Sequence, residues 1–490
     1  MKRISFLLSL AVAMLLASVA VSCSVDESFT TDRSALLSFS QDTVSFDTVF
    51  TSVGSSTQNI RVFNNQNEGV RISNIRLASG GTSGFRVNVD GMMGTDFSNV
   101  EIHSNDSMYV FVELTADMTG KQEPVEIKDS LIFTLESGAM QKVLLMASAQ
   151  DAEVCRGLVV NGDTTLSSSK PYLIYDSLCV AEGATLRIAE GVRMFFHSGA
   201  GLKVYGRLEV NGSVDKPVVM RGDRTDRLLW YLPYDRVNAQ WEGIKICKSS
   251  NDNIIENADI HSGNYGIICD SSGVEKSKLL LRNSIVHNVT KHGIFSKNNT
   301  IEVLNSQITN AGGDCVHIEG GRCRFVHCTL AQFYPWSADR GVALRFSADE
   351  RTPLLGCDFV NCIITGIGKD ELMGIPPKMP EIPFDYNFVG CLIRTPEVKD
   401  NPRFAEIVWD NEILAGKPGI PKKDKSEKLI IQAANFRNID HENFVYDFHL
   451  DSLSCARGRA VMEAMEFLPY DKDGVERVGK PDIGCYQYKK

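Results

Sequence analysis

The chain has 490 residues, 43% of them hydrophobic and 23% charged, with 51 Lys and Arg against 61 Asp and Glu. That length exceeds what one ordinary compact core holds, so several domains or a repetitive architecture are expected. A net charge of −10 argues against a nucleic-acid partner, which needs a dense basic surface.

Residues 1–22 join a basic start at Lys2 and Arg3 to an apolar stretch that ends in small residues. This is the pattern of a cleaved export signal. No later stretch is long and apolar enough to span a bilayer. The small residues run directly into Cys23. The junction resembles that of bacterial lipoproteins of the Bacteroidetes kind, with Ala20 standing where Leu is usual. The resemblance implies a signal peptide over 1–22, a palmitate-bearing Cys23, a linker over 23–34 and a membrane partner reached through the lipid. Asp26 and Glu27 resemble the acidic tag that directs such proteins outward. The implied location is the outer membrane, with the cell surface favoured over the periplasmic face.

Residues 35–150 read as strands. "LLSFSQDTVSFDTVF", "SMYVFVELTAD" and "KVLLMASAQ" alternate with period two, and polar turns such as Asn64–Gly69 separate the runs. About seven strands in this length suit a β-sandwich. The order of features resembles the immunoglobulin-like domains that precede larger modules in bacterial surface proteins.

From residue 155 the texture changes to short strands broken by Gly turns, with no helix-length segment between them. "IIENADIHSG", "LLRNSIVHNV", "EVLNSQITNA", "RFVHCTLAQF" and "DFVNCIITGI" align at Asn257, Asn283, Asn305, His327 and Asn361, and "NFVGCLIRTP" follows at Gly390. Ile255, Leu281, Val303, Phe325, Phe359 and Phe388 stand two positions earlier. Ile260, Val286, Ile308, Leu330, Ile364 and Ile393 stand three later. A minimum spacing of 22 residues fits one coil of a parallel β-helix. The apolar columns then fill the core. The Asn column marks a bend, because Asn tolerates left-handed backbone geometry and its amide can bond from coil to coil. Ala258, Ser284, Ser306, Cys328, Cys362 and Cys391 form a column of small residues. A ladder of free thiols is favoured there over disulfides, although stacked cysteines lie within bonding range. Cys323 and Cys357 make a second cysteine column.

These columns, with the opening "LCVAEGATLRIAEGVRMFFHSGAGLKVYGRLEVNG" and the coil start "QWEGIKI", resemble right-handed parallel β-helix proteins of the pectin-lyase-like superfamily over residues 155–400. The fold class expected is therefore all-β, an N-terminal sandwich followed by a right-handed parallel β-helix. The tail, 401–490, carries "DFHLDSLSCARGRA" and a closing "DIGCYQY", which resemble the endings of such proteins. A capping segment is its expected role, since an open terminal coil would recruit other chains. "DKDG" at Asp471–Gly474 raises calcium, but a plain turn is favoured. No cofactor and no metal is otherwise expected.

Chemistry concentrates in "GGDCVHIEG". If "CVHI" is a strand, His317 and Asp314 point to opposite faces, and Asp314 does not orient His317. A polar stripe of Lys291, His292, Asp314, His317, Arg340 and Arg345 along one face, spread over several coils, is the alternative grouping. A lyase acting on uronic acids would need such a base and such cations. A solvated or binding face is favoured over catalysis, because no dense Asp cluster accompanies the stripe. Two insertions carry aromatics suited to stacking on sugars or anchoring a protein: Trp230, Tyr231, Tyr234 and Trp241 in the first, Tyr334 and Trp336 in the second. The function expected is non-enzymatic binding of a polysaccharide or another envelope protein. The alternatives are a polysaccharide lyase or glycoside hydrolase, and a structural subunit of an outer-membrane complex.

Overall fold

A computed structural model describes residues 28–410, 435–462 and 467–489. Cys23 and the signal segment lie outside the described residues. The chain divides into two compact units near residue 149, with residues 120–123 grouped with the second.

The first unit is a sandwich of two five-stranded sheets. Antiparallel pairing, as between Gln58–Phe63 and Ser107–Leu114, sets the register. Alternation does the rest. Ile60 and Val62, Val110 and Val112, and Leu131 and Phe133 are fully buried, while the residues between them face outward. Ten strands occupy a length expected to hold about seven, because several short edge strands carry little alternation.

The second unit is a parallel β-helix whose ladder runs through 26 strands, from Glu153–Val160 to Val408–Trp409. The columns read from the sequence are its register. Ile255, Leu281, Val303, Phe325, Phe359, Phe388 and Phe404 are successive ladder partners. So are Ile260, Val286, Ile308, Leu330, Ile364, Ile393 and Trp409. All but Phe404 and Trp409, on the last coil, are fully buried. In the aromatic half of the first column, Phe359 stacks on Phe325 and on Phe388 at centroid distances of 4.9 Å each.

The bend column has the expected backbone. Asn257, Asn283, Asn305, His327 and Asn361 all take φ between 48° and 54°, where Asn is tolerated and β-branched residues are strained. Asn305 Nδ2 donates to Asn283 Oδ1 at 2.9 Å. At the His327 rung, burial holds the imidazole well below its usual pKa and so neutral. One ring nitrogen then faces the Gly484 carbonyl and the other faces the Asn361 amide.

The small column is held by side chain to main chain bonds, as where the Ser284 amide donates to Ser306 Oγ at 3.1 Å. Cys328, Cys362 and Cys391 are free and buried, which is the ladder expected. Cys323 and Cys357, direct register partners, are joined by a disulfide.

The tail is tied to the last coil by Asn435, whose amide donates to Asp410. It then returns along the side of the coils. The hairpin Phe436–Asp440 and Val445–Leu450, together with Ile483 and Tyr486, buries apolar surface against Phe333, Ile363 and Leu392. Buried Arg477 donates to Asn305 Oδ1 at 2.5 Å, and Tyr486 OH donates to Gln307 Oε1 at 2.8 Å. The tail is thus a lateral strap over the bend column as well as a terminal segment. In "DKDG", the Asp471 carboxylate accepts from the amides of Asp473, Val475 and Gln487, which is turn geometry.

Candidate functional site

Three adjacent strands, Ile294–Leu304, Val316–Val326 and Leu344–Ser347, build the site. Val316 and Ile318 enter the core, so His317 and Glu319 face outward. Across the ladder His317 lies between Phe295 and Arg345, and Glu319 between Lys297 and Ser347.

The structure corrects the expectation that Asp314 faces away from His317. The strand begins at Val316, and Asp314 sits in the preceding bend, where strict alternation does not hold. Cys315 turns fully into the core, and Asp314 emerges on the same face as His317. Its Oδ2 is 3.1 Å from His317 Nδ1. Arg345 grips the carboxylate with two bonds, Nε to Oδ2 at 2.7 Å and Nη2 to Oδ1 at 3.1 Å. The Val342 amide adds a third at 3.0 Å. Burial works against the Asp314 charge, but His317, Arg345 and the Val342 amide outweigh it and hold the acid well below the usual carboxylate range.

His292 is fixed from the same bend. The Asp314 amide donates to its Nδ1 at 3.0 Å, which leaves Nε2 to carry the proton of the neutral ring. Burial, with His317 close by, lowers its pKa. The two rings meet edge to face at 4.9 Å. Space is tight: a Cβ at Gly341 would lie 2.5 Å from Asp314 Oδ1, and one at Gly313 2.8 Å from His292 Nδ1.

A cavity of about 830 Å³ opens over these groups, with Lys297, Glu319, Asp339 and Arg340 also on its wall. Lys297 pairs with Glu319 at 2.7 Å. Buried Arg340 Nε has no hydrogen-bond partner among the described residues. Lys291 lies apart, exposed, with its ammonium 5.0 Å from the Tyr265 ring centre.

Beneath the Arg340 loop lies Glu371, 1% exposed, which sequence reasoning missed. Its carboxylate accepts from the Ala343 and Gly368 amides. Burial raises its pKa to about 7, against those amides and the nearby Arg340 and Arg394. The folded chain therefore keeps this proton up to a higher pH than the unfolded chain, whose value is near 4.5. Stability from this group falls as pH rises between those two values and is lowest above the upper one. Glu371→Gln should flatten that stretch of the curve. Urea unfolding at pH 5 and pH 7.5 measures it, and an unchanged difference between the two pH values would refute the assignment.

The aromatic candidates separate. Trp241 is a core residue, 1% exposed, stacked on Phe196 at 4.3 Å with its indole N–H bonded to the His261 carbonyl. Tyr334 is also buried, and its hydroxyl accepts from Asn238 of the first insertion. Neither has a free face for a ligand, so both are corrected to structural roles. The large rings filled the seams where insertions meet the coils. Tyr234 lies under the Arg224 guanidinium at 3.9 Å. Trp336 leans on Phe444 at 4.7 Å. Trp230, with Tyr231 against its edge, is 85% exposed.

No protein-family model matches the sequence, and no curated protein matches it. Among solved structures, a family 123 glycoside hydrolase from Clostridium perfringens aligns with 23% of this chain at 9% identity and a TM-score of 0.17. The chain spans a quarter of that hydrolase. The ASH/PapD-like domain of human CEP192 aligns over 98% of its own length and 27% of this chain, at 12% identity and a TM-score of 0.18. The catalytic domain of a GH87 alpha-1,3-glucanase aligns over 91% of its length and 68% of this chain, at 8% identity and a TM-score of 0.14. Likenesses this distant leave function to the geometry of the site.

Proposed function

We propose that this chain is a lipid-anchored envelope protein that binds a saccharide in the cavity over His317, Arg340 and Arg345 and does not cleave it. The observation that carries the reading is the cavity itself, an open polar groove on rigid parallel strands, lined by planar donors and acceptors. Sugar hydroxyls both donate and accept, and side chains of this kind meet both needs. Lys297, Arg340 and Arg345 stand against Asp314, Glu319, Asp339 and Asp349 on the wall. Charge is thus mixed, which suits a neutral or weakly acidic glycan.

The case against turnover is local. Both Asp314 oxygens are engaged by Arg345 and by the Val342 amide. Neither that acid nor that cation is free to move a proton or to neutralise a developing enolate. The lyase reading draws on His317, an imidazole on the cavity wall with Asp314 Oδ2 3.1 Å from its Nδ1. Trp230 supports contact with a larger partner outside the groove.

The soluble fragment 24–490 should bind one or more polysaccharides in a neutral and acidic panel and release neither reducing ends nor unsaturated product. Arg340→Ala should weaken binding about tenfold, the loss of one charged hydrogen bond. Product that disappears in His317→Ala would establish the lyase instead. Absence of binding across the panel would favour a protein partner.

A further inference from the structure

A second cluster of titratable side chains lies on the preceding coils, away from the cavity just described. Strands Ala258–His261 and Ile285–Val289 are neighbours, and His261 and His287 are direct register partners with ring centres 4.7 Å apart. Asp259 precedes His261 by two residues and so shares its face. One oxygen, Asp259 Oδ1, lies 3.0 Å from His261 Nδ1 and 3.1 Å from His287 Nε2. From the first insertion, Asp235 Oδ1 reaches the far nitrogen of His261 at 3.2 Å.

We propose that Asp259, His261 and His287 form a binding site for a divalent transition-metal ion of the zinc class. Metal bonds of about 2.0–2.1 Å in a tetrahedral site separate ligand atoms by about 3.3 Å. The two nitrogen–oxygen separations are already within a few tenths of an ångström of that edge. Two imidazoles and one carboxylate suit zinc, nickel or copper, whereas calcium takes six to eight oxygens. Asp235 supplies the outer carboxylate that orients a metal-bound imidazole through its second nitrogen.

Two further observations separate this cluster from an ordinary hydrogen-bonded ladder. The comparable group in the other cavity, His292, Asp314 and His317, already holds a cation, because Arg345 grips Asp314 from two sides. Asp259 bonds to the two imidazoles instead, so a metal ion entering here would displace ring protons rather than an arginine. Arg221 pairs with the outer Asp235 and is close enough to act on His261 as a neighbouring positive charge. In addition, a cavity of about 420 Å³ adjoins Asp259 and His287, and Asp447, His449 and Tyr486 of the tail form its opposite wall. The remaining coordination positions would open onto that space, where water or a ligand oxygen could enter.

The test uses untagged 24–490 protein stripped with a chelator, then titrated with cobalt(II) by visible absorption and with zinc(II) by competition. One equivalent should bind, with the absorption of nitrogen-ligated cobalt. His287→Gln should abolish that signal, with circular dichroism reporting the fold, and His261→Gln should do the same. Asp235→Asn should weaken binding about 10–100-fold, as an outer-shell loss does. His317→Gln should bind as the parent does. The half-buried His287 keeps the test decisive if the His261 variant does not fold. Absence of stoichiometric binding overturns the proposal. So does binding unchanged in His287→Gln, or binding lost in His317→Gln.

Discussion

Asp314→Ala should destabilise the β-helix by about 3–5 kcal/mol and abolish the saccharide binding proposed for the large cavity. The carboxylate is 3% exposed and paired with an Arg345 side chain that is 23% exposed. Removing one partner of a buried pair leaves the other charge uncompensated, and that is the expensive event. The Val342 amide loses its acceptor as well. Because folding lowers the Asp314 pKa, its contribution is complete above the unfolded value of about 3.8. It is lost as pH falls through the lower folded value. The parent should therefore lose stability on acidification below pH 4 more steeply than the variant. Asp314→Asn keeps the shape and should do less damage. Urea unfolding at neutral and acid pH reads all three. A loss under about 1 kcal/mol for the alanine variant would mean that Arg345 finds another partner and that the bend is not held as described.

Phe359→Ala should cost about 3–5 kcal/mol, as large-to-small changes in closed cores do. Phe359 is fully buried and has a stacked ring on each side. The backbone ladder limits how far neighbouring coils can collapse into the void, so most of the cavity should persist. Two aromatic contacts of about 0.5–1.5 kcal/mol each go with it. Phe359→Leu should recover a large part. Hydrogen exchange in Leu354–Val360 and its neighbouring strands should accelerate first, since each coil is supported mainly by the coils beside it. Unfolding that stays within about 1 kcal/mol of the parent would show that the stack contributes little beyond filling space.

Much of the second unit was legible in advance. The columns at Asn257 through Gly390 identified the bend, the two apolar neighbours and the small position. In a parallel stack each coil places the same position in the same environment, so the environment is written repeatedly along the chain. The 22-residue spacing of Lys297 and Glu319, which form a salt bridge, carried the same signal but was missed in the sequence. Asp314 was misjudged because alternation was extended one bend too far. The composition of the insertions did not distinguish rings that seal a seam, Trp241 and Tyr334, from one that faces solvent, Trp230.

The sequence by itself determined the layered β architecture and the repeating core, since both follow from local periodicity. The tertiary structure alone decided where the chemistry gathers. Asp235 reaches His261 from an insertion 26 residues away. Tyr486 reaches Gln307 across 179 residues of chain. Such contacts depend on how a loop or a tail folds back over the coils. That path is set by the apolar surface left to cover and the polar atoms left to satisfy once the coils have formed, and it has no period from which it could be read.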